Sequence, residues 1–201
     1  MGFRVTSLDW KNFHASMSTR SFTFVAATTG EWSVRSQTTI CGPALDQPAA
    51  ISVLSGFDVP SNSMWKLRGI TSNVRYVEQG EKTALQFKQE GLGRPAATFA
   101  ALIPIRKSPA WWDLTQDERR QIFEAQSQHI AIGMRYLPAI ARRLHHCRDI
   151  SEDEPFDFLT WFEYAPEHEA QFDQMLLELR SSPEWRYVTR EVDIRLVKNS
   201  A

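Results

Sequence analysis

The chain has 201 residues, 23 Lys plus Arg against 24 Asp plus Glu, a formal net charge of −1, and 42% hydrophobic residues. This is enough apolar material for a substantial core, which excludes wholesale disorder. The near-neutral balance argues against nucleic acid or an anionic membrane as the main partner, since both demand a basic surface.

No apolar run approaches the roughly 18–20 residues that span a bilayer. Cys41 and Cys147 are the only cysteines, too few for a disulfide scaffold, so a reducing, cytoplasmic setting is expected. Arg4, Asp9, Lys11 and Arg20 interrupt the amino terminus before any signal-like apolar stretch can form. Residues 1–19 read as a loose leader, with Met17 as an alternative start. The segment 20–97 is rich in β-formers, and strands are expected over Arg20–Ala27, Trp32–Thr39, Trp65–Tyr76 and Thr83–Gln89. The small and apolar residues of Asp46–Phe57 suggest a short helix. Gly91-Leu92-Gly93-Arg94-Pro95 is a clear break.

The pattern over 98–201 is sharper. Ala100–Lys107 reads as a strand, with Pro104 implying an edge or a bulge. Thr115 followed by Glu118 is a capping box opening a helix. Ile122, Phe123, Ile130, Gly133, Tyr136 and Leu137 roughly keep helical spacing until Pro138 ends or kinks it. Ile140–Cys147 and Phe156–Glu163 alternate as strands. Pro166–Leu179 carries a stripe of Phe172, Met175, Leu176 and Leu179, and Val192–Val197 alternates as a last strand. The order β-α-β-β-α-β is that of the ferredoxin-like split βαβ unit, with a ragged, abbreviated version in the first half. The fold class is therefore α+β.

His129 on the helix and Arg142 on the following strand can flank one cavity, because the helix of such a unit packs on its sheet. Imidazole is an axial ligand for haem iron, and a donor on the opposite side governs the bound ligand. The alternative is a helix-surface histidine and a strand-surface arginine. Trp111-Trp112 bring large apolar area and indole N–H groups that need partners. They suit a cofactor with apolar faces and carboxylate arms near Lys107, or ordinary core packing. His145-His146-Cys147 resembles a ligand cluster, but adjacent strand residues face opposite ways, so surface residues are expected there. Arg119-Arg120 reads as a helix surface and a possible dimer contact. Without Cys-x-x-Cys-His, covalent haem attachment is excluded.

The strings Ile103–Trp112, Gln116–Arg120, His129-Ile130, Tyr136–Arg142 and Phe156–Tyr164 together resemble the chlorite dismutase family, and its short-chain, dimeric branch in particular. The likeness is close from about Val74 to Val197. It implies a homodimer whose subunit is an α/β-barrel of two ferredoxin-like halves, with one haem b in the carboxy-terminal half of each subunit. It also implies decomposition of the chlorite anion to chloride and dioxygen through a ferryl intermediate and O–O bond formation. By position, His129 matches the proximal iron ligand and Arg142 the distal arginine. Trp111 and Trp112 match the tryptophan pair beside the haem, Lys107 and Glu184 the partners of the proximal histidine, and Gln89 a distal glutamine. Glu184 would accept the second imidazole N–H, and Lys107 would keep that carboxylate ionised. Gln128 departs from the pattern, since relatives often carry a second histidine there. Related possibilities are a coproporphyrin-haem decarboxylase, a peroxidase-like relative, or a haem-binding module without turnover. The arginine at 142 and the chain length argue against the first, and the absence of a distal acidic residue in the matched string against the second.

Overall fold

The computed structural model describes residues 20–57 and 62–199; the expected leader over 1–19 lies outside the described residues. The first half supplies strands β1 (Ser21–Ala27), β2 (Trp32–Cys41), β3 (Ala50–Ser55) and β4 (Trp65–Thr71), then helix α1 (Gln79–Lys88). The second half runs β5 (Phe99–Lys107), the short helices α2 (Pro109–Trp112) and α3 (Gln116–Arg120), a π-helical turn (Gln121–Gln126) and α4 (His129–Arg135). It continues with β6 (Ala141–His146), β7 (Phe158–Tyr164), α5 (Glu169–Arg180) and β8 (Val188–Lys198). The β-α-β-β-α-β order of the second half matches the sequence expectation.

All eight strands close into one barrel in the order β1-β3-β2-β8-β5-β7-β6-β4. Each half contributes four contiguous strands. In the second, β5 lies between β8 and β7, and β6 lies beyond β7; in the first, β1 lies between β4 and β3, and β2 lies beyond β3. The halves join at a long β2–β8 ladder, from Trp32↔Lys198 to Cys41↔Glu191, and at a short β4–β6 ladder of Ile70↔His146 and Thr71↔His145.

Alternation along the strands makes two cores. Phe24, Trp32, Ile51, Leu67, Leu102 and Trp161 fill the barrel, all nearly inaccessible to solvent. On the outer face of the second half, Ile103, Ile105, Phe162 and Tyr164 pack under α4 and α5. The expected stripe Phe172, Met175, Leu176 and Leu179 is the buried face of α5. The Thr115–Glu118 capping box is formed, with Thr115 N donating to Glu118 at 2.7 Å.

Several expectations are corrected. Asp46–Phe57 contains β3, not a helix; β-branched Ile51 and Val53 alternate toward the barrel, opposite Ala26 and Phe24 of β1. Thr83–Gln89 is the end of α1, not a strand. The Leu85/Phe87 pair mimics strand alternation, but Leu85 is buried while Phe87 is 94% exposed, and a capping box at Glu78 and Glu81 opens the helix. The fourth strand ends at Thr71, short of Tyr76. Pro104 lies in an internal strand: β5 pairs with β7 on one side and β8 on the other. Its missing N–H falls on the β8 side, where the ladder skips Ile103 and Pro104 and resumes in register at Ile105↔Glu191. The bulge comes later, between Arg106 and Lys107. His145 and His146 do face opposite ways, but neither is on the surface, at 0% and 3% exposure. His145 points into the barrel against Phe22 and Phe24, and His146 packs on Trp112 and Phe158. Burial pushes the His145 pKa down to about 4.

Candidate functional site

Register across β6, β7 and β5 builds the floor of a pocket. Arg142 pairs with Phe162, Leu144 with Thr160 and His146 with Phe158, while Ile103 and Ile105 pair with Thr160 and Phe158 from the other side. Side chains opposite one another share a face, so Arg142, Leu144, Thr160, Phe158, Ile103 and Ile105 all look outward from the barrel. Two residues beyond Ile105, Lys107 keeps the same phase. Helices α4 and α5 and the turn Pro183–Tyr187 stand above this floor. Between them lies a cavity with about 920 Å³ of empty space, open solvent at its mouth included.

His129 is the first residue of α4, and its side chain, 20% exposed, lines the cavity. Its Nδ1 lies 2.7 Å from Oε2 of Glu184. The other oxygen of Glu184 accepts from Lys107 Nζ at 2.7 Å. Lys107 and Glu184 are 5% and 4% exposed, so both charges are out of water. Burial alone would raise the Glu184 carboxyl, but the charges of Lys107 and His129, with their hydrogen bonds, outweigh it and hold the pKa down at about 2. The carboxylate is therefore ionised at neutral pH. It fixes the imidazole by Nδ1, and Nε2 has no hydrogen-bond partner among the described residues.

Across the cavity Arg142 has neither a carboxylate nor a hydrogen-bond acceptor for its guanidinium among the described residues, and burial pushes its pKa down. Arg142 is half-buried beside Leu144 and Phe162, so its guanidinium is a ready partner for an anion entering the cavity. Gln89, just past α1, reaches the strand of Arg142 but not its guanidinium: its Nε2 donates to the Arg142 carbonyl at 2.7 Å. It does not line the cavity.

The two tryptophans separate. Trp111 lines the cavity, with Lys107 Nζ 4.5 Å from its ring centroid. Trp112 sits behind the wall, stacked on Phe158 at 5.9 Å, and its indole N–H donates to Asp157 at 3.2 Å. Asp157 also accepts the backbone N–H of Lys107 at 2.7 Å, so one buried carboxylate places both residues. Arg119 and Arg120 are not bare surface. Arg119 ties the carbonyls of Trp111, Trp112 and Leu114, and Arg120 ties Tyr76 and Glu81. Sequence reasoning missed Phe123 and Trp185, whose rings lie nearly parallel to His129 with centroids 4.3 and 6.4 Å away, and Asp157. The alternation of Phe156–Glu163 could have flagged Asp157 as a carboxylate inside an apolar strand.

The arrangement fits a flat macrocycle bearing a metal. One imidazole nitrogen is oriented and open, the walls are mostly apolar, and of the two arginines lining the cavity Arg75 is held by Asp149 while Arg142 is left for a ligand. The molecule is thus an α+β barrel with a ligand pocket on the outer face of its second half. The chlorite dismutase family model matches residues 54–199. A chlorite dismutase of Ideonella dechloratans is 28% identical over 154 residues, covering 73% of this chain. This chain spans about half, 51%, of that relative's length. The crystal structure of dimeric chlorite dismutases from Nitrobacter winogradskyi aligns with a TM-score of 0.82 and 53% identity, over 89% of this chain and 99% of that one. The chlorite dismutase from Candidatus Nitrospira defluvii in complex with imidazole aligns with a TM-score of 0.52 and 25% identity, over 72% of this chain and 56% of that one. The chain belongs to the chlorite dismutase family. No helix among the described residues is long and apolar enough to cross a membrane.

Proposed function

We propose that the protein is a haem b enzyme that decomposes chlorite to chloride and dioxygen, acting as a homodimer with one haem in each subunit. The observation that carries this reading is the Lys107–Glu184–His129 chain facing an uncompensated Arg142 across one apolar pocket. The strand order of the two halves supports two ferredoxin-like units, the first reduced to strands plus α1.

When bound, haem b supplies iron redox chemistry at an oxyanion. His129 would hold it through Nε2, while Glu184 fixes the ring from Nδ1 and lends the imidazole anionic character. Lys107 keeps Glu184 ionised in a site where burial opposes the charge. Trp111 and Ile105 provide apolar contact. Arg142 binds the chlorite anion and retains its oxygen-bearing fragment until dioxygen leaves. The overall change, ClO₂⁻ to Cl⁻ and O₂, balances without a proton or an outside reductant, so a donor that stays charged suits it better than a titrating one. The apolar floor excludes competing water.

The test is an absorption spectrum of the purified protein followed by an oxygen electrode trace after chlorite addition. A haem spectrum with one equivalent per subunit and prompt oxygen release is expected. A haem-loaded protein that releases no oxygen would refute the reading.

A further inference from the structure

The helix expected to run from Thr115 toward Pro138 is interrupted just before His129. Residues Gln121–Gln126 form a π-helical turn, and Gln128 adopts the left-handed conformation at φ 51°, ψ 35°. Non-glycine residues rarely hold positive φ, and π-turns are frequent at functional sites. The interruption restarts the chain as α4 with His129 in first position, so it sets where the imidazole begins.

Three side chains of the interrupted segment hold the surroundings of the His129–Glu184 hydrogen bond: one the imidazole, one the Glu184 turn and one the start of α4. Phe123 lies against the imidazole, 4.3 Å between centroids and 22° between planes. Ser127, 4% exposed, accepts the backbone N–H of Glu184 at 2.9 Å and so anchors the turn that carries the carboxylate. Glu124 reaches past the break to the start of α4, where its Oε2 accepts Ile130 N–H at 2.6 Å and its Oε1 accepts Ala131 N–H at 3.2 Å. Those are second and third amides of a helix, which lack intrahelical partners. A cap residue normally satisfies them with its own side chain; Gln128 makes no such bond. The carboxylate of Glu124 replaces that cap from the preceding π-turn.

We infer that Glu124 is a positioning residue for His129. By capping α4 across the left-handed break, it presets the direction of the imidazole before any ligand arrives, with Phe123 and Ser127 completing the clamp. The inference rests on the proposed role of His129 as the haem ligand, but the cap exists without haem. Neither Glu124 nor Ser127 touches the reacting atoms.

The experiment compares wild type, Glu124→Ala and Glu124→Gln by amide hydrogen exchange on the haem-free protein, then by titration with ferric protoporphyrin IX. In Glu124→Ala, the Ile130 and Ala131 amides should exchange at least about tenfold faster, from loss of a charged cap worth about 1–2 kcal/mol, while β5 and β8 amides keep their rates. Porphyrin affinity should fall, and the absorption spectrum should shift toward a mixture of ligation states. Glu124→Gln keeps one good acceptor, so it should retain protection at one of the two amides and restore most of the affinity and the wild-type spectrum. Unchanged exchange at Ile130 and Ala131 overturns the cap. Faster exchange throughout the barrel, in either variant, makes Glu124 a general stability residue and also overturns the inference. So does lost protection at these two amides with wild-type affinity and spectrum. A wild-type protein that takes up no porphyrin refutes the haem assignment instead, and leaves the exchange result to decide the cap.

Discussion

Removing Lys107 isolates the buried charge that organises the pocket. In the native protein the Glu184 carboxyl sits at about 2 against an ordinary 4.5, although burial by itself would raise it. That depression, about two and a half pH units at about 1.4 kcal/mol each, is on the order of 3 kcal/mol of stability. Because the folded pKa is the lower one, the contribution is fully present above pH 4.5 and is lost as the pH falls toward 2. In Lys107→Met the ammonium is gone, only the His129 contact still opposes burial, and the folded carboxyl should titrate above its native value. The variant then suffers most where Glu184 is ionised. Its cost should be about 3–5 kcal/mol at pH 7, the range for breaking a buried pair, and should shrink toward pH 4 as the carboxyl takes up a proton. Urea unfolding at pH 7 and near pH 4, at matched cofactor occupancy, measures both. Lys107→Met/Glu184→Gln should recover much of the loss at pH 7, because no unpaired charge remains. Equal costs at the two pH values, with no recovery in the double variant, would show that Lys107 matters by packing against Trp111 and not by charge.

Other outcomes follow from the same geometry. His129→Ala should lose haem while keeping its far-ultraviolet circular dichroism; an unchanged Soret band and stoichiometry would reassign the ligand. Arg142→Ala should keep haem yet evolve oxygen roughly ten- to a hundredfold more slowly, the effect of about 1.5–3 kcal/mol for one charged hydrogen bond. A wild-type rate and oxygen yield would make Arg142 a strand residue only. Gly69→Ala would put a Cβ 2.6 Å from that of His145 inside the barrel. Overpacking of this kind costs about 1–3 kcal/mol, so thermal unfolding should come several degrees earlier, and an unchanged midpoint would mean the strands part freely there.

What could be read from the sequence was mostly short-range. The Thr115–Glu118 box, the α5 stripe and the alternation of β6 and β7 are local signals, and the fold uses them as written. The errors arose where local signals competed. Leu85 and Phe87 imitate a strand because an exposed aromatic stands two residues from a buried leucine. Pro104 suggested an edge because its tolerance depends on which neighbour lacks an acceptor pairing, a property of the closed barrel. The histidine pair reads as surface in the sequence, since burial of His145 depends on Phe22 and Phe24 from a distant strand. Within the pocket, His129, Arg142, Lys107 and Trp111 are candidates by residue type and position, while their roles, and Glu184 altogether, come through family resemblance. Spacing alone left His129 and Arg142 open to a surface reading. Asp157 was legible only as a carboxylate breaking an apolar alternation, and the stacking of Phe123 and the left-handed Gln128 were not legible, because no glycine or proline marks the break.

The β2–β8 ladder has a consequence for how the molecule comes into being. Strand β2 leaves the ribosome well before β8, yet β8 is its partner on one side, with Ser33 opposite Val197. Until β8 emerges, the growing chain carries a ten-residue strand with an open edge. Pairings so distant along the chain are slow to form, and unpaired edges invite neighbouring chains. Ile40 apart, the exposed residues of β2 are Arg35, Ser36, Thr38 and Thr39, where an apolar run would be sticky. Nascent chains stalled before β8 should therefore be the ones that associate, and those carried through Lys198 should be monodisperse.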